Sequence, residues 1–172
     1  MRNLITGGAG FIGSNLIEKL INAGEKIICL DNFSTGNFNN IETFLGNPNF
    51  ELIEHDLRKD INLDIDRIWH LGSPASPAYY QNHPIETTKT IFLGTLNMLE
   101  LAQNNNARIL FLSSSEVYGN SVKDNLKETF PGSISPIGAR SCYGEGKRIA
   151  ESLCFDHLRQ YSTDICIARV FN

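Results

Sequence analysis

No stretch of the chain approaches the ~18 consecutive apolar residues of a membrane-spanning helix, so no membrane partner is expected. A basic excess is missing too. The 15 Lys and Arg stand against 19 Asp and Glu, a formal net charge of -4 without a basic tail or stripe, and nothing calls for nucleic acid. There are only 4 cysteines, Cys29, Cys142, Cys154 and Cys166, and no Cys-x-x-Cys pairing. They argue against a disulfide or metal framework and read as reduced packing residues of a cytoplasmic protein. The 4 histidines lack ligand spacing, so no metal is expected; His70, at a strand end, reads as a satisfied core or edge residue. Internal repeats, low-complexity tracts and a Ser-His-Asp or Cys-His arrangement are also lacking. The first residues enter an apolar strand pattern at once, which leaves no room for a signal peptide.

What is present is an alternation of strand and helix over 172 residues, enough for one well-buried domain. Compact Ile- and Leu-rich runs predict strands at 3–6, 26–31, 50–54, 67–71, 108–113 and 164–170. Helical patterns fall at 11–23, 85–104 and 143–160, with a shorter one at 39–45. Helical crossovers between buried strands predict an α/β fold with a doubly wound parallel sheet. The longest unpatterned segment, 120–140, is long enough to be expected to have a use. A chain stopping at Asn172, directly after a strand, predicts a sheet face partly uncovered and a further C-terminal part.

The glycines carry the first chemistry. Leu4-Ile5 leads into Gly7-Gly8-Ala9-Gly10-Phe11-Ile12-Gly13, a helix follows, and the next strand stops at Asp31, eighteen residues after Gly13. Strand, glycine turn, helix, strand and acid in that order suit the pyrophosphate and ribose of a dinucleotide. Asp31 would take the ribose hydroxyls and repel a 2′-phosphate, which favours NAD over NADP; alone, it would read as a turn residue. Asp56, after the third strand, could reach the adenine or cap a helix.

Tyr143 and Lys147 lie one helical turn apart, on one face. A phenol with a pKa near ~10 is a poor base at neutral pH. A neighbouring ammonium, with a positive nicotinamide, is expected to lower that value so that Tyr143 can take a proton as hydride leaves. A surface ion-pair spacing is the other reading. The run Ser113-Ser114-Ser115-Glu116 falls at a strand's carboxyl end, where Ser114 could relay that proton. Glu116 suits a second acid–base event at a neighbouring carbon; its alternative is a solvated turn residue.

Together the 7–13 loop, Asp31-Asn32-Phe33, Ser114 to Gly119 and the Tyr143–Lys147 pair resemble the extended short-chain dehydrogenase/reductases, the family of nucleotide-sugar epimerases, dehydratases and decarboxylases. Ser73-Pro74-Ala75-Ser76-Pro77, Gly94 to Leu99 and Arg140-Ser141-Cys142-Tyr143 are most similar to its UDP-glucuronate decarboxylase branch, over essentially the whole chain. The resemblance implies a Rossmann fold at 1–172, lacking the substrate-binding part, and an NAD cofactor. It also implies oxidation of the sugar at C4, loss of C6 as CO2 and reduction to UDP-xylose. It assigns Ser114, Glu116, Tyr143 and Lys147 to catalysis. To the cofactor it assigns Gly7, Gly10, Phe11, Ile12, Gly13, Asp31, Asn32, Ser34, Thr35, Gly36, Asp56, Leu57, Leu71, Ser73 and Thr90, with Tyr143 and Lys147. Lys89, Glu116 and Asn172 would face a nucleotide sugar, UDP-glucuronate, and the two long helices would pair in a homodimer. Other readings are a nucleotide-sugar 4-epimerase or 4,6-dehydratase, or a catalytically silent NAD-binding module. The chain departs from the family pattern at Gly144, where an acid is usual, at Ile91, where Asn is usual, and at His70 to Ser73, which replace an Ala-Cys pair. Residues 1–172 by themselves are expected to lack turnover.

Overall fold

Six strands line up side by side, and the first two in the chain bury side chains on both faces. The computed structural model describes residues 1–119 and 125–171. The strands are β1 (Arg2–Thr6), β2 (Lys26–Asp31), β3 (Phe50–Glu54), β4 (Arg67–His70), β5 (Arg108–Ser114) and β6 (Ile165–Val170). They form one parallel sheet in the order β3-β2-β1-β4-β5-β6. The helices are α1 (Phe11–Asn22), α2 (Pro77–Asn82), α3 (Pro84–Asn105) and α4 (Ser141–Tyr161). The expected doubly wound sheet is therefore the observed one.

Strand periodicity divides the core. Successive side chains point to opposite faces, so Leu4 and Ile28 join one cluster while Ile5 and Ile27 join another. The first cluster is closed by Met98 and Ala102 of α3 and by Ala150 and Cys154 of α4. The second is closed by Ile17 of α1. All four cysteines are free thiols, and Cys29, Cys142 and Cys154 are buried. The two edge strands, β3 and β6, have no fully buried residue.

The departures from expectation are local. The helix expected at 39–45 is two short 3-10 turns, Phe38–Asn40 and Glu42–Phe44. Asn37 caps the first by accepting from Asn39 N, and Ile41 leaves helical geometry between them (φ -122°). α2 is not among the expected helices. Pro77 occupies its first helical turn, where a missing N–H costs nothing. The 120–140 segment lies in part outside the described residues. Its described part is pinned to the body: Arg148 donates to Val117 O and Pro131 O, and Arg169 to Glu128 O. No helix among the described residues is long and apolar enough to cross a membrane.

Candidate active site

The strand order reverses between β1 and β4, and a cleft of about 590 Å³ opens at the carboxyl edge of the sheet. Open α/β sheets bind ligands at such switch points. Gly7, Gly10, Phe11, Ile12 and Gly13 line it after β1, and Asp31, Asn32, Ser34, Thr35 and Gly36 after β2. Leu57, Leu71, Ser73 and Thr90 add to the wall, and Ser114, Glu116, Tyr143 and Lys147 complete it.

The glycine turn is shaped by close approach. Gly7 has φ +68°, and a Cβ on Gly13 would stand 2.3 Å from Gly7 O, so only glycine fits there. α1 starts at Gly10 with no side-chain cap and no acid in its first turn. Its free N–H groups and positive dipole end thus face the cleft without an internal anion, which suits a bound pyrophosphate. Asp31 holds the rim in shape: Oδ2 accepts from Ala9 N at 2.9 Å and Oδ1 from Phe33 N at 2.9 Å. Phe33 adopts a left-handed φ of 56° to make that bond. Each carboxylate oxygen keeps a lone pair for a ribose hydroxyl. The residues therefore fit a dinucleotide.

The reactive side chains come from β5 and α4. Ser114 accepts from Glu116 N at 3.2 Å, capping the 3-10 turn Ser115–Tyr118, and its hydroxyl is near enough to the Tyr143 phenol to pull its pKa downward. Tyr143 stands in the first turn of α4, and Lys147 follows one turn later on the same face. Lys147 is buried: Nζ donates to Leu112 O at 2.7 Å and lies 4.8 Å from the Phe111 ring centroid. Burial pushes its pKa down to about 7. The expectation that Lys147 lowers the Tyr143 pKa is not met in this state. Burial raises the phenol above its usual value, and the nearby Ser114 hydroxyl offsets this only in part. Lys147 Nζ lies 5.8 Å from the Tyr143 ring centroid and is engaged by a carbonyl, so it offers the phenolate little direct stabilisation.

Two assigned residues, Asp56 and Lys89, do not line the cleft. Asp56 is held in a fork by Arg58, whose Nε lies 3.0 Å from both carboxylate oxygens, and its pKa is lowered mainly by that bond. Its neighbours His55 and Leu57 line the wall instead. Lys89 turns toward Glu86, 3.8 Å away, while the adjacent Thr90 faces the cleft. Asn172 lies outside the described residues. Two residues were missed: Arg140, which ion-pairs with Glu116, and Tyr80 of α2, which stacks on Tyr143 with centroids 5.1 Å apart and planes 6° from parallel. Arg140 lies three residues before Tyr143, in a stretch already notable; nothing in the pattern around Tyr80 pointed to it. Ile91, in the usual Asn position, is buried and would meet a Cβ on Gly146 at 3.1 Å.

His70 behaves as a core residue, between Thr6 Oγ1 (2.8 Å from Nδ1) and Thr95 Oγ1 (3.2 Å from Nε2). Burial, then the nearby Lys147 charge, pushes its pKa down to about 3, against an ordinary 6.5. The unfolded chain therefore binds this proton first as pH falls, and the His70 contribution to stability is lost downward from pH 6.5 toward 3. Chemical denaturation should show stability falling by at most about 1.4 kcal/mol per pH unit in that window from this group. His70→Asn should flatten the slope; an unchanged slope would exclude His70 as its source.

Sheet order, glycine turn and acid-tipped β2 define a Rossmann-fold protein of the dinucleotide-binding class. A family model described as GDP-mannose 4,6 dehydratase matches residues 4–172. The chain belongs to that family, within the extended short-chain dehydrogenase/reductases. UDP-glucuronic acid decarboxylase 6 of Arabidopsis thaliana is 50% identical over 173 residues, covering 100% of this chain and 50% of that protein. UDP-glucuronic acid decarboxylase 1 of Danio rerio is 48% identical over 171 residues, covering 99% of this chain and 41% of that protein. The chain thus spans about half the length, or less, of these curated relatives. Among solved structures, a UDP-galactose 4-epimerase superposes with a TM-score of 0.84 at 30% identity, over 98% of this chain and 55% of that one. The dTDP-glucose 4,6-dehydratase DesIV of Streptomyces venezuelae, crystallised with NAD, superposes with a TM-score of 0.87 at 25% identity, over 98% and 55%.

Proposed function

We propose that the whole protein converts UDP-glucuronate to UDP-xylose and CO2, with NAD reduced and reoxidised within one cycle. The observation that carries this reading is the convergence of Glu116 and Tyr143 on one cleft with the glycine turn and Asp31. A plain dehydrogenase has no use for the extra carboxylate. The 50% identity to a UDP-glucuronic acid decarboxylase supports the choice of substrate.

Bound in the cleft, NAD would supply a hydride acceptor, and later a donor, for C4 of the sugar. Tyr143 takes the O4 proton, with the nearby Ser114 hydroxyl as relay. Lys147, with its pKa near 7, is placed to exchange a proton on the Tyr143 side of the cleft. A ketone at C4 makes the sugar a β-keto acid. Its C5–C6 bond breaks with loss of CO2, and the electron pair passes into an enolate. Glu116, having taken up a proton from water, would pass it to C5, and Tyr143 returns its proton to O4. The charges balance, and no net oxidation remains.

The exposed Phe155 and Leu158 of α4 and Ile85 of α3 suit the reading in which these helices pair across a homodimer. The epimerase and dehydratase likenesses support a second reading, a 4-epimerase or 4,6-dehydratase. Incubating the whole protein with UDP-glucuronate and NAD separates the two. CO2 and a UDP-pentose are expected; a UDP-hexuronate of unchanged mass would overturn the decarboxylase reading.

A further inference from the structure

Tyr80 is the cleft residue that this reaction leaves without a task. It is 1% exposed, and its hydroxyl makes no hydrogen bond of normal geometry. A Phe ring would fill the same space and stack on Tyr143 equally well without stranding a polar atom, and a stranded buried hydroxyl is unfavourable. α2 is tied to α4 beside it, where Cys142 Sγ donates to Tyr80 O at 3.5 Å. The hydroxyl thus sits at a fixed place among Arg140, Glu116 and Tyr143. Burial raises its pKa, while the Arg140 guanidinium is close enough to oppose that rise.

Arg140 is meanwhile paired with Glu116. A carboxylate held by a guanidinium is a poor proton acceptor, because its charge is already stabilised. Before Glu116 can take a proton, the guanidinium must find another acceptor. A phenolic oxygen accepts hydrogen bonds, and that of Tyr80, close to the guanidinium, makes none of good geometry in this arrangement.

We propose that Tyr80 is a positioning residue whose hydroxyl oxygen is a second seat for the Arg140 guanidinium, occupied when Glu116 is released to move a proton. In the arrangement observed, Arg140 is on Glu116 and its guanidinium lies within reach of the Tyr80 hydroxyl without making a well-formed hydrogen bond to it. In the other, Arg140 donates to Tyr80 Oη, and the Glu116 carboxylate takes one proton and later gives it up. Tyr80 touches no reacting atom and acts through Arg140. The inference rests on the acid–base role given to Glu116 above.

The test is Tyr80→Phe in the whole protein, which keeps the ring and its stack. The first oxidation uses Tyr143 and should proceed; the later proton transfer should slow. Turnover is expected to fall about tenfold or more, a part of what acid–base catalysis contributes. KM for UDP-glucuronate should change less than about threefold, since no binding contact is removed. Absorbance at 340 nm should rise in the steady state as reduced cofactor and oxidised sugar accumulate. The melting temperature should not drop, because the lost hydroxyl made no well-formed hydrogen bond. Unchanged turnover would overturn the proposal, as would slower turnover without a rise at 340 nm, or a loss of activity that tracks a lower melting temperature. Failure of the decarboxylase reading would show in the wild type alone, as the wrong product. Tyr80 is judged by the ratio of variant to wild type on whatever product the wild type forms.

Discussion

Replacing Tyr143 by Phe in the whole protein is expected to lower turnover of UDP-glucuronate by about 10²- to 10⁴-fold. The ring would remain stacked on Tyr80 and packed in the core, so folding should survive. Asp31 and the glycine turn are untouched, so cofactor affinity should stay within a few-fold. What goes is a phenolic oxygen close to the Ser114 hydroxyl, in the cleft that Glu116 also lines. Burial raises the Tyr143 pKa in this structure, so the group waits protonated at neutral pH. It needs the positive charge of the oxidised cofactor to become a base. The acid limb of the wild-type pH–rate profile should accordingly reflect the loaded enzyme, not the free phenol. Turnover within threefold of wild type would remove Tyr143 from the mechanism.

Arg169→Met should cost about 3–5 kcal/mol of folding stability. Glu151 is a buried carboxylate on α4, and its oxygens accept from Ser113 Oγ at 2.6 Å, Arg169 Nε at 2.9 Å and Arg169 Nη2 at 2.7 Å. Arg169 also donates to Tyr118 Oη at 2.8 Å and to Glu128 O at 2.8 Å. One guanidinium therefore joins β6, α4, the turn after β5 and the 125–140 segment. Glu151 holds the Arg169 pKa above its usual value, the mark of a pair whose charged form is favoured by the fold. Removing only the arginine leaves a carboxylate in the core without its counter-charge. Replacing both, as Arg169→Met with Glu151→Leu, should be much less damaging, because the charge and its compensation leave together. Urea unfolding of the single and double variants would decide this. A single variant within about 1 kcal/mol of wild type would show the pair to be worth no more than an exposed one.

The sheet was legible in the sequence because the strands centre on short runs rich in Ile and Leu, and the six predicted strands match the observed ones to within a residue or two. Helix positions followed between them. α2, at six residues, is too short to show a helical period, and 3-10 turns at 38–44 leave too little periodicity to be separated from a helix. In the site, Gly7 to Gly13, Asp31, Ser114, Glu116, Tyr143 and Lys147 were legible because spacing alone puts them on turns, strand ends and one helical face. Tyr80 and Arg140 were not. Their part depends on how α2 and the approach to α4 fold over the sheet edge, which is tertiary packing with no local signature. Asp56 shows the converse: its place after β3 was right, but the fork from Arg58 two residues on takes up its carboxylate.

The central claim is that the cofactor lends a hydride to C4 and takes it back. The direct measurement is turnover of UDP-glucuronate bearing deuterium at C4, by the whole protein with catalytic NAD. Expected are CO2, a UDP-pentose that retains deuterium at C4, and no net accumulation of reduced cofactor. Stoichiometric reduced cofactor, or deuterium lost to solvent, would contradict that claim.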